Sequence, residues 1–284
     1  MTSIQDLTAR ELPVWCPSCG DFNLLHALKT ALAGLGIPQE NVVLTSGIGC
    51  GSKLPHFVNT YGFEGLHGRG IPVATGAKLV NPALTVITVA GDGDIYGIGG
   101  NHFMHTMRRN IDMTLIVQNN AVYGLTKGQY SPTTRRGTKT PSSPNGSLEE
   151  PINPMALGII MGATYVARAF AYDIQHMTGL IKSGIAHKGF SIIDVLQPCA
   201  TYNKVNDVAW YRRNVYRLED EGHDPGDKPK ALEKAMEWAE GRIPTGLFYQ
   251  VSGKPTYDQE ATNHAVVNDD ISDIDIRPLL AKAK

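Results

Sequence analysis

Two residues that each follow an apolar run carry side chains that suit a magnesium ion. Asp92 follows the run 84–90 within Gly91-Asp92-Gly93-Asp94, and Asn120 follows the run 113–118 within Asn119-Asn120. A carboxylate, an amide oxygen and a nearby backbone carbonyl are hard ligands. Mg²⁺ fills its other octahedral positions, at roughly 2.0–2.1 Å, with phosphate oxygens and water. Gly91 and Gly93 let backbone N–H groups approach a diphosphate, and a helix beginning beyond them points its positive end at it. A Gly-Asp-Gly tripeptide alone is more often a plain strand-ending turn, but the paired Asn-Asn makes the pattern specific. The four cysteines form a second constellation: Cys16 and Cys19 in Trp15-Cys16-Pro17-Ser18-Cys19-Gly20, Cys50 in a glycine-rich turn, and Cys199. Four thiolates suit either Zn²⁺ or an iron–sulfur cluster. Spacing alone leans to zinc, and a disulfide is disfavoured in a reducing compartment.

Strand ends must bring these residues together. Asp21 opens a helix with Phe22, Leu24, Leu25, Leu28, Ala31, Leu32 and Leu35 on one face, stopped by Gly36 and Pro38. The apolar run 42–44 feeds Gly47-Ile48-Gly49-Cys50-Gly51. A strand at 84–90, a helix at 99–109 and a strand at 113–118 make a βαβ unit, and a helix at 173–187 leading into a strand at 190–196 repeats the alternation. The expected fold is a doubly wound, mostly parallel α/β sheet, with ligands beyond the carboxyl ends of the strands. The Cys50, Asp92 and Asn120 loops all lie there. Residues 131–150, rich in Pro, Ser, Thr and Gly, read as a long surface loop or lid. Past 216 the pattern fades to one helix at 229–238 and an acidic tail at 269–275, so residues 1–205 are expected to form the binding domain and 206–284 an extension packed on it or on a partner.

Composition bounds the rest. The chain has 284 residues, is 42% hydrophobic and carries a formal charge of −1, with no general electrostatic reason to bind nucleic acid. No apolar run reaches the roughly 18–20 residues that span a bilayer. The polar start lacks a secretory signal, which points to the cytoplasm.

The two-part pattern of Asp92 and Asn120 resembles the thiamine diphosphate motif of thiamine-dependent enzymes, which implies Mg²⁺ on Asp92, Asn120 and the carbonyl of Val122. Over about 15–203 the chain resembles the β subunit of the 2-oxoacid:ferredoxin oxidoreductases. The matching motifs are the Cys16–Cys19 stretch, Ser46-Gly47-Ile48-Gly49-Cys50, His67-Gly68-Arg69-Gly70-Ile71-Pro72-Val73-Ala74-Thr75-Gly76, Gly91-Asp92-Gly93-Asp94, Asn120-Ala121-Val122-Tyr123-Gly124-Leu125-Thr126-Lys127-Gly128-Gln129 and Pro198-Cys199. The resemblance implies a [4Fe–4S] cluster on Cys16, Cys19, Cys50 and Cys199. It implies that Lys53, Arg69 and Leu125 serve substrate and catalysis. Thiamine diphosphate would lie against Ile48, Gly49, His67, Gly68, Gly91, Gly93, Asp94, Tyr123, Gly124, Leu125 and Thr126. Blander readings stand beside these: Lys53 as a surface cation, Arg69 as a loop brace, Ile48 as packing, and His56, His102 and His105 as structural.

Redox context bears on the cysteines. If the electron-rich intermediate left by CO₂ loss is oxidised without flavin or lipoamide, electrons leave through a metal centre, which zinc cannot provide. No second-domain pattern supplies the carboxylate that activates thiamine, and Glu64 is a poor substitute. A separate α subunit carrying the pyrimidine-binding domain, its glutamate and most of a coenzyme A site is therefore expected, in a heterodimer or a dimer of heterodimers. Arg135 and Lys139 could attract coenzyme A phosphates, or simply lie on a solvated loop. The implied reaction turns a 2-oxoacid, coenzyme A and oxidised ferredoxin into acyl-CoA, CO₂ and reduced ferredoxin. Lys53 and residues 125–129 favour 2-oxoglutarate, since a cation could meet its distal carboxylate, with pyruvate or a broad 2-oxoacid range open. The rivals are a non-redox thiamine decarboxylase or synthase subunit with structural zinc, and a non-catalytic iron–sulfur scaffold.

Overall fold

The first amphipathic stretch folds as helix α1 (Asp21–Leu35), which ends at Gly36 in the left-handed conformation. In the computed structural model, which describes residues 2–238, 241–261, 265–270, 272 and 274–282, strand β1 (Val42–Ser46) follows. Then come β2 (Tyr61–Glu64), α2 (Gly70–Val80), β3 (Thr85–Gly91), α3 (Gly100–Arg109) and β4 (Thr114–Asn119). After a long irregular segment the chain forms α4 (Pro154–Met161), β5 (Tyr165–Phe170), α5 (Ile174–Ala186) and β6 (Ser191–Leu196). The C-terminal part adds α6 (Val208–Asn214), β7 (Val215–Arg217), α7 (Lys228–Met236), β8 (Ile243–Gln250), α8 (Tyr257–Ala261) and α9 (Arg277–Lys282).

The strands make one sheet in the order β2-β1-β3-β4-β6-β5-β8-β7. Strands β1 to β6 are parallel, whereas β8 pairs antiparallel with β5 and β7 runs parallel to β8. Helices cover both faces, so central strands are apolar on successive residues rather than alternate ones. Ile87 and Val89 pack with α1 and α5 on one side. Val86 and Ala90 pack with α2, α3, α4 and α7 on the other. This is the expected doubly wound sheet. Among the described residues no helix is long and apolar enough to cross a membrane.

The expected helix at 229–238 is α7, and Asp227 caps it by accepting from Lys230 N at 3.1 Å. Part of the acidic tail, at 271 and 273, lies outside the described residues. The faint C-terminal pattern hides β8, which completes the sheet rather than merely packing on it. Residues 131–150 also depart from expectation. They hold no regular helix or strand, but Ser131, Thr134 and Ser147 are buried, so the start of the segment runs through the interior.

A chain stopped at residue 205 would leave the β5 edge unpaired and one apolar layer without α7. Such a truncation is expected to accumulate in the insoluble fraction, as fractionation against the full chain would show.

Candidate active site

The register between β3 and β4 sets the site. Gly91 lies opposite Gln118, so Asp92 and Asn119-Asn120 leave the sheet side by side at its carboxyl edge. Asp92 is 1% exposed. Its Oδ2 accepts from Ser131 Oγ and Thr133 Oγ1, both at 2.5 Å, and the Thr133 hydroxyl also lies 2.8 Å from Asn119 Oδ1. Burial pushes the Asp92 carboxyl up to about 6, and the two hydroxyls pull it back toward its ordinary range.

Directly after Asp92 the backbone makes a π-helical turn, Gly93–Ile98, before α3 begins. The turn aims Asp94 back at two other loops. Asp94 Oδ1 accepts from Gly68 N at 2.5 Å and Ile48 N at 3.3 Å, and lies 2.6 Å from His67 Nδ1. Gly68 has φ +74°, and a Cβ there would strike Ile98, so only glycine brings its N–H to Asp94 without strain. On the third loop, Asn120 Oδ1 accepts from Val122 N at 3.0 Å, with Ala121 between them at φ +57°. Tyr123 then bridges to Gln129, and its hydroxyl donates to Gly93 O at 3.1 Å.

A cavity of about 200 Å³ opens where the three loops meet. Ile48, Gly49, Cys50 and His67 line it from the first two segments, and Gly91, Asp92 and Asp94 from the end of β3. Asn120, Val122, Tyr123, Gly124, Leu125 and Thr126 line it from the third loop. Lys53, Gly68, Arg69 and Gly93 are not in the lining. Gly68 and Gly93 instead serve as backbone partners of lining residues. Arg69 Nη1 contacts His102 Nε2. Lys53 is half-buried in the turn Gly51–Phe57, where its charge acts on Asp21 and Cys50.

The cysteines gather behind one wall. None is in a disulfide, and Cys16 is the exposed member. Cys16 and Cys199 lie close enough to Cys50, and Cys199 close enough to Cys19, for their thiolate forms to oppose one another. A Cβ on Gly124 would stand 3.5 Å from Cys50 Sγ and 3.8 Å from Cys199 Sγ, so a cavity-lining backbone touches two of the sulfurs. Trp15 Nε1 donates to Cys50 O at 2.6 Å and Tyr172 Oη to Ser18 O at 2.7 Å, fixing both cysteine-bearing turns. Burial raises the Cys50 thiol to about 11 and that of Cys19 further. Among the described residues no three His, Cys, Asp or Glu side chains close on one ion.

Several residues escape a sequence reading. Ser131 and Thr133 hold Asp92 from 39 and 41 residues away, and the only sequence cue is a hydroxyl-rich start to an otherwise loop-like segment. Asp21, read only as the residue that opens a helix, is buried and accepts from Gln118 Nε2 at 2.6 Å, Gln197 Nε2 at 2.7 Å and Cys19 Sγ at 3.3 Å. Gln118 also lines the cavity.

The chain is similar to known proteins in sequence and fold. Residues 47–195 match the thiamine pyrophosphate enzyme C-terminal TPP-binding domain, and residues 199–265 match the C-terminal part of the pyruvate ferredoxin oxidoreductase β subunit. The 2-oxoacid:ferredoxin oxidoreductase subunit β of Sulfolobus sp is 49% identical over 257 residues, covering 86% of this chain and 84% of the relative. The 2-oxoglutarate oxidoreductase subunit KorB of Mycobacterium tuberculosis is 44% identical over 199 residues, covering 70% of this chain and 53% of the relative. A solved 2-oxoglutarate:ferredoxin oxidoreductase from Magnetococcus marinus, with 2-oxoglutarate, coenzyme A and succinyl-CoA bound, superimposes with a TM-score of 0.90 at 39% identity, covering 100% of this chain and 96% of that one.

Replacing Thr133 with Val removes a donor from a buried carboxylate, and should cost about 1–3 kcal/mol in chemical denaturation. A pH dependence follows from Asp21 and Asp92, both raised by burial from 3.8 to about 6. The folded chain keeps protons on these groups that the unfolded chain releases. The contribution of these two carboxyls to the stability of ligand-free protein should therefore fall as pH rises from about 4 to about 6, measured as a urea midpoint that changes less favourably over this window in the wild type than in Asp21→Asn.

Proposed function

The chain belongs to the β subunits of the 2-oxoacid:ferredoxin oxidoreductases, and from that premise we propose that it holds magnesium, thiamine diphosphate and a [4Fe–4S] cluster for the oxidative decarboxylation of 2-oxoglutarate. Coenzyme A would take the acyl group and ferredoxin the electrons, in the cytoplasm, with an α subunit completing the catalyst. Residues 1–205 would carry both cofactors, and 206–284 would finish the sheet and meet the partner.

One observation carries this reading: the cavity that joins Asp92, Asn120 and Val122 also has Cys50 in its lining, and its wall residue Gly124 lies beside the sulfurs of Cys50 and Cys199. The donor set fits the cofactors. Asp92, Asn120 and the Val122 carbonyl are oxygen donors suited to Mg²⁺. Asp94 Oδ2 and Gln118 Oε1 are buried, unpartnered oxygens on the lining, so the cavity is chemically incomplete without a ligand. Thiamine diphosphate supplies the nucleophilic carbon for 2-oxoacid chemistry.

The chain's own groups have separate tasks. Asp94 holds the Ile48 and Gly68 loops at a fixed distance, and His67 leans on Asp94 beside Gly49. Ile48, in the lining, offers an apolar prop for a bent thiamine. Leu125 and Thr126 border the space open to substrate, and Lys53 offers a cation for a distal carboxylate. Cys16, Cys19, Cys50 and Cys199 supply four thiolates, whose buried thiols would ionise on binding metal. No glutamate lines the cavity among the described residues, and Glu64 is engaged by His56 on the outer strand β2. The activating glutamate therefore falls to the α subunit, with most of the coenzyme A site.

The substrate choice rests on the KorB relative and on the 2-oxoglutarate in the Magnetococcus marinus structure. The Sulfolobus relative, named for 2-oxoacids generally, favours a second reading with broader range that includes pyruvate.

Assembled with its α partner under anaerobic conditions, the enzyme should bleach in the visible on addition of 2-oxoglutarate and coenzyme A, faster than with pyruvate. Cys16→Ser should lose iron, acid-labile sulfide and bleaching while retaining thiamine diphosphate. Wild-type protein containing zinc and no iron would overturn the electron route and leave the structural-zinc rival.

A further inference from the structure

Asp194, within β6, lies behind the Asp92 site and outside the lining of the cavity. It is fully buried and stands opposite Arg168 of β5 in the sheet. Its Oδ1 accepts from Tyr96 Oη at 2.9 Å and from Asn119 Nδ2 at 3.1 Å. Its Oδ2 lies 3.3 Å from the same Asn119 nitrogen and 3.5 Å from Arg168 Nε. All three neighbours are donors, so Asp194 shows only acceptor oxygens to Asn119. That fixes which way the Asn119 amide faces. Its nitrogen is held by both Asp194 oxygens, and its Oδ1 is turned to Thr133 Oγ1 at 2.8 Å.

The Thr133 hydroxyl has one proton and two acceptors in reach, Asp92 Oδ2 at 2.5 Å and Asn119 Oδ1 at 2.8 Å. In the ligand-free chain the charged acceptor holds the proton, because hydrogen bonds to ions are the stronger ones. Asn119 Oδ1 then faces a lone pair. A flipped Asn119 would relieve this, but only by setting its oxygen against the Asp194 carboxylate. We infer that Asp194 is a positioning residue of the metal site, acting through Asn119 and Thr133. It keeps a second acceptor in front of the Thr133 proton, so Asp92 can exchange that donor for a cation without any movement of the backbone. Ser131 Oγ, also 2.5 Å from Asp92 Oδ2, stays on the carboxylate meanwhile. The inference rests on the magnesium reading of Asp92 and extends it to a residue that no metal would touch.

Mg²⁺ titration of the assembled two-subunit enzyme at saturating thiamine diphosphate, read as cofactor retained through rapid gel filtration, tests this. Asp194→Asn frees the Asn119 amide to turn, and should raise the half-saturating Mg²⁺ concentration about tenfold. Thr133→Val removes the contested proton, so Asp194→Asn added to it should have no further effect. Thr133→Ser keeps the proton and should preserve the tenfold difference. A purely structural role for Asp194 would give the same loss in all three backgrounds, and that additivity would overturn the inference. Asp194→Asn alone leaves Arg168 buried without its carboxylate. Arg168→Met combined with Asp194→Asn removes both charges, and should show the same rise of about tenfold. Mg²⁺ dependence unchanged in both variants would overturn the inference and leave the magnesium site standing. Wild-type enzyme whose thiamine diphosphate content does not respond to Mg²⁺ would overturn both.

Discussion

A carboxylate withdrawn from water must be supplied with donors, or it costs several kcal/mol. Asp92 and Asp94, two residues apart at the end of one strand, are both buried, and their donors come from three separate segments. Asp92 draws in Ser131 and Thr133, which turns the start of an irregular segment into an interior wall. Asp94 draws in Ile48, His67 and Gly68. The loops at the carboxyl edge of the sheet are thus arranged around two oxygen-rich points, and their own backbone preferences are secondary. A hydroxyl can satisfy Asp92 while leaving it able to accept a cation, which a buried lysine or arginine would not.

Gly124 carries a different constraint. It lies in a loop that lines the cavity on one side and packs toward two sulfurs on the other, where a Cβ would meet both at ordinary contact distance. The cysteine turns are in turn fixed from the opposite side by Trp15 and Tyr172, so the sulfur group is held between an aromatic clasp and a glycine wall. Asp21 and Gln118 cross the same partition by a direct hydrogen bond.

What the sequence discloses is local. The runs before Asp92 and Asn120 and the C-x-x-C pair are adjacent residues whose meaning does not depend on distant contacts, and the structure places Asp92, Asn120 and Cys50 around one cavity. The parallel sheet was legible from strand–helix–strand spacing. Less was visible where local chemistry contradicts the element. Helix α2 contains Gly70, Pro72 and Gly76, so it reads as a glycine motif, and β8 carries Pro244 and Gly246, which weaken a strand pattern. Strand β5 has Arg168 in mid-run, tolerated because Asp194 sits opposite on β6. The hydroxyls at 131 and 133 were invisible for another reason: a contact spanning some forty residues leaves no periodic trace.

The reversed strand β8 has a consequence in time. β5 is synthesised about eighty residues before the strand that covers its open edge. As the chain leaves the ribosome, β1 to β6 can assemble with the cysteine turns and the carboxylate loops already in place. During that interval β5 presents an unpaired, largely apolar margin to the cell, and contacts so distant in sequence form slowly. Formation of the loops and completion of the sheet are therefore separable events, and a chaperone arriving early would find the loops formed while the far edge is still open.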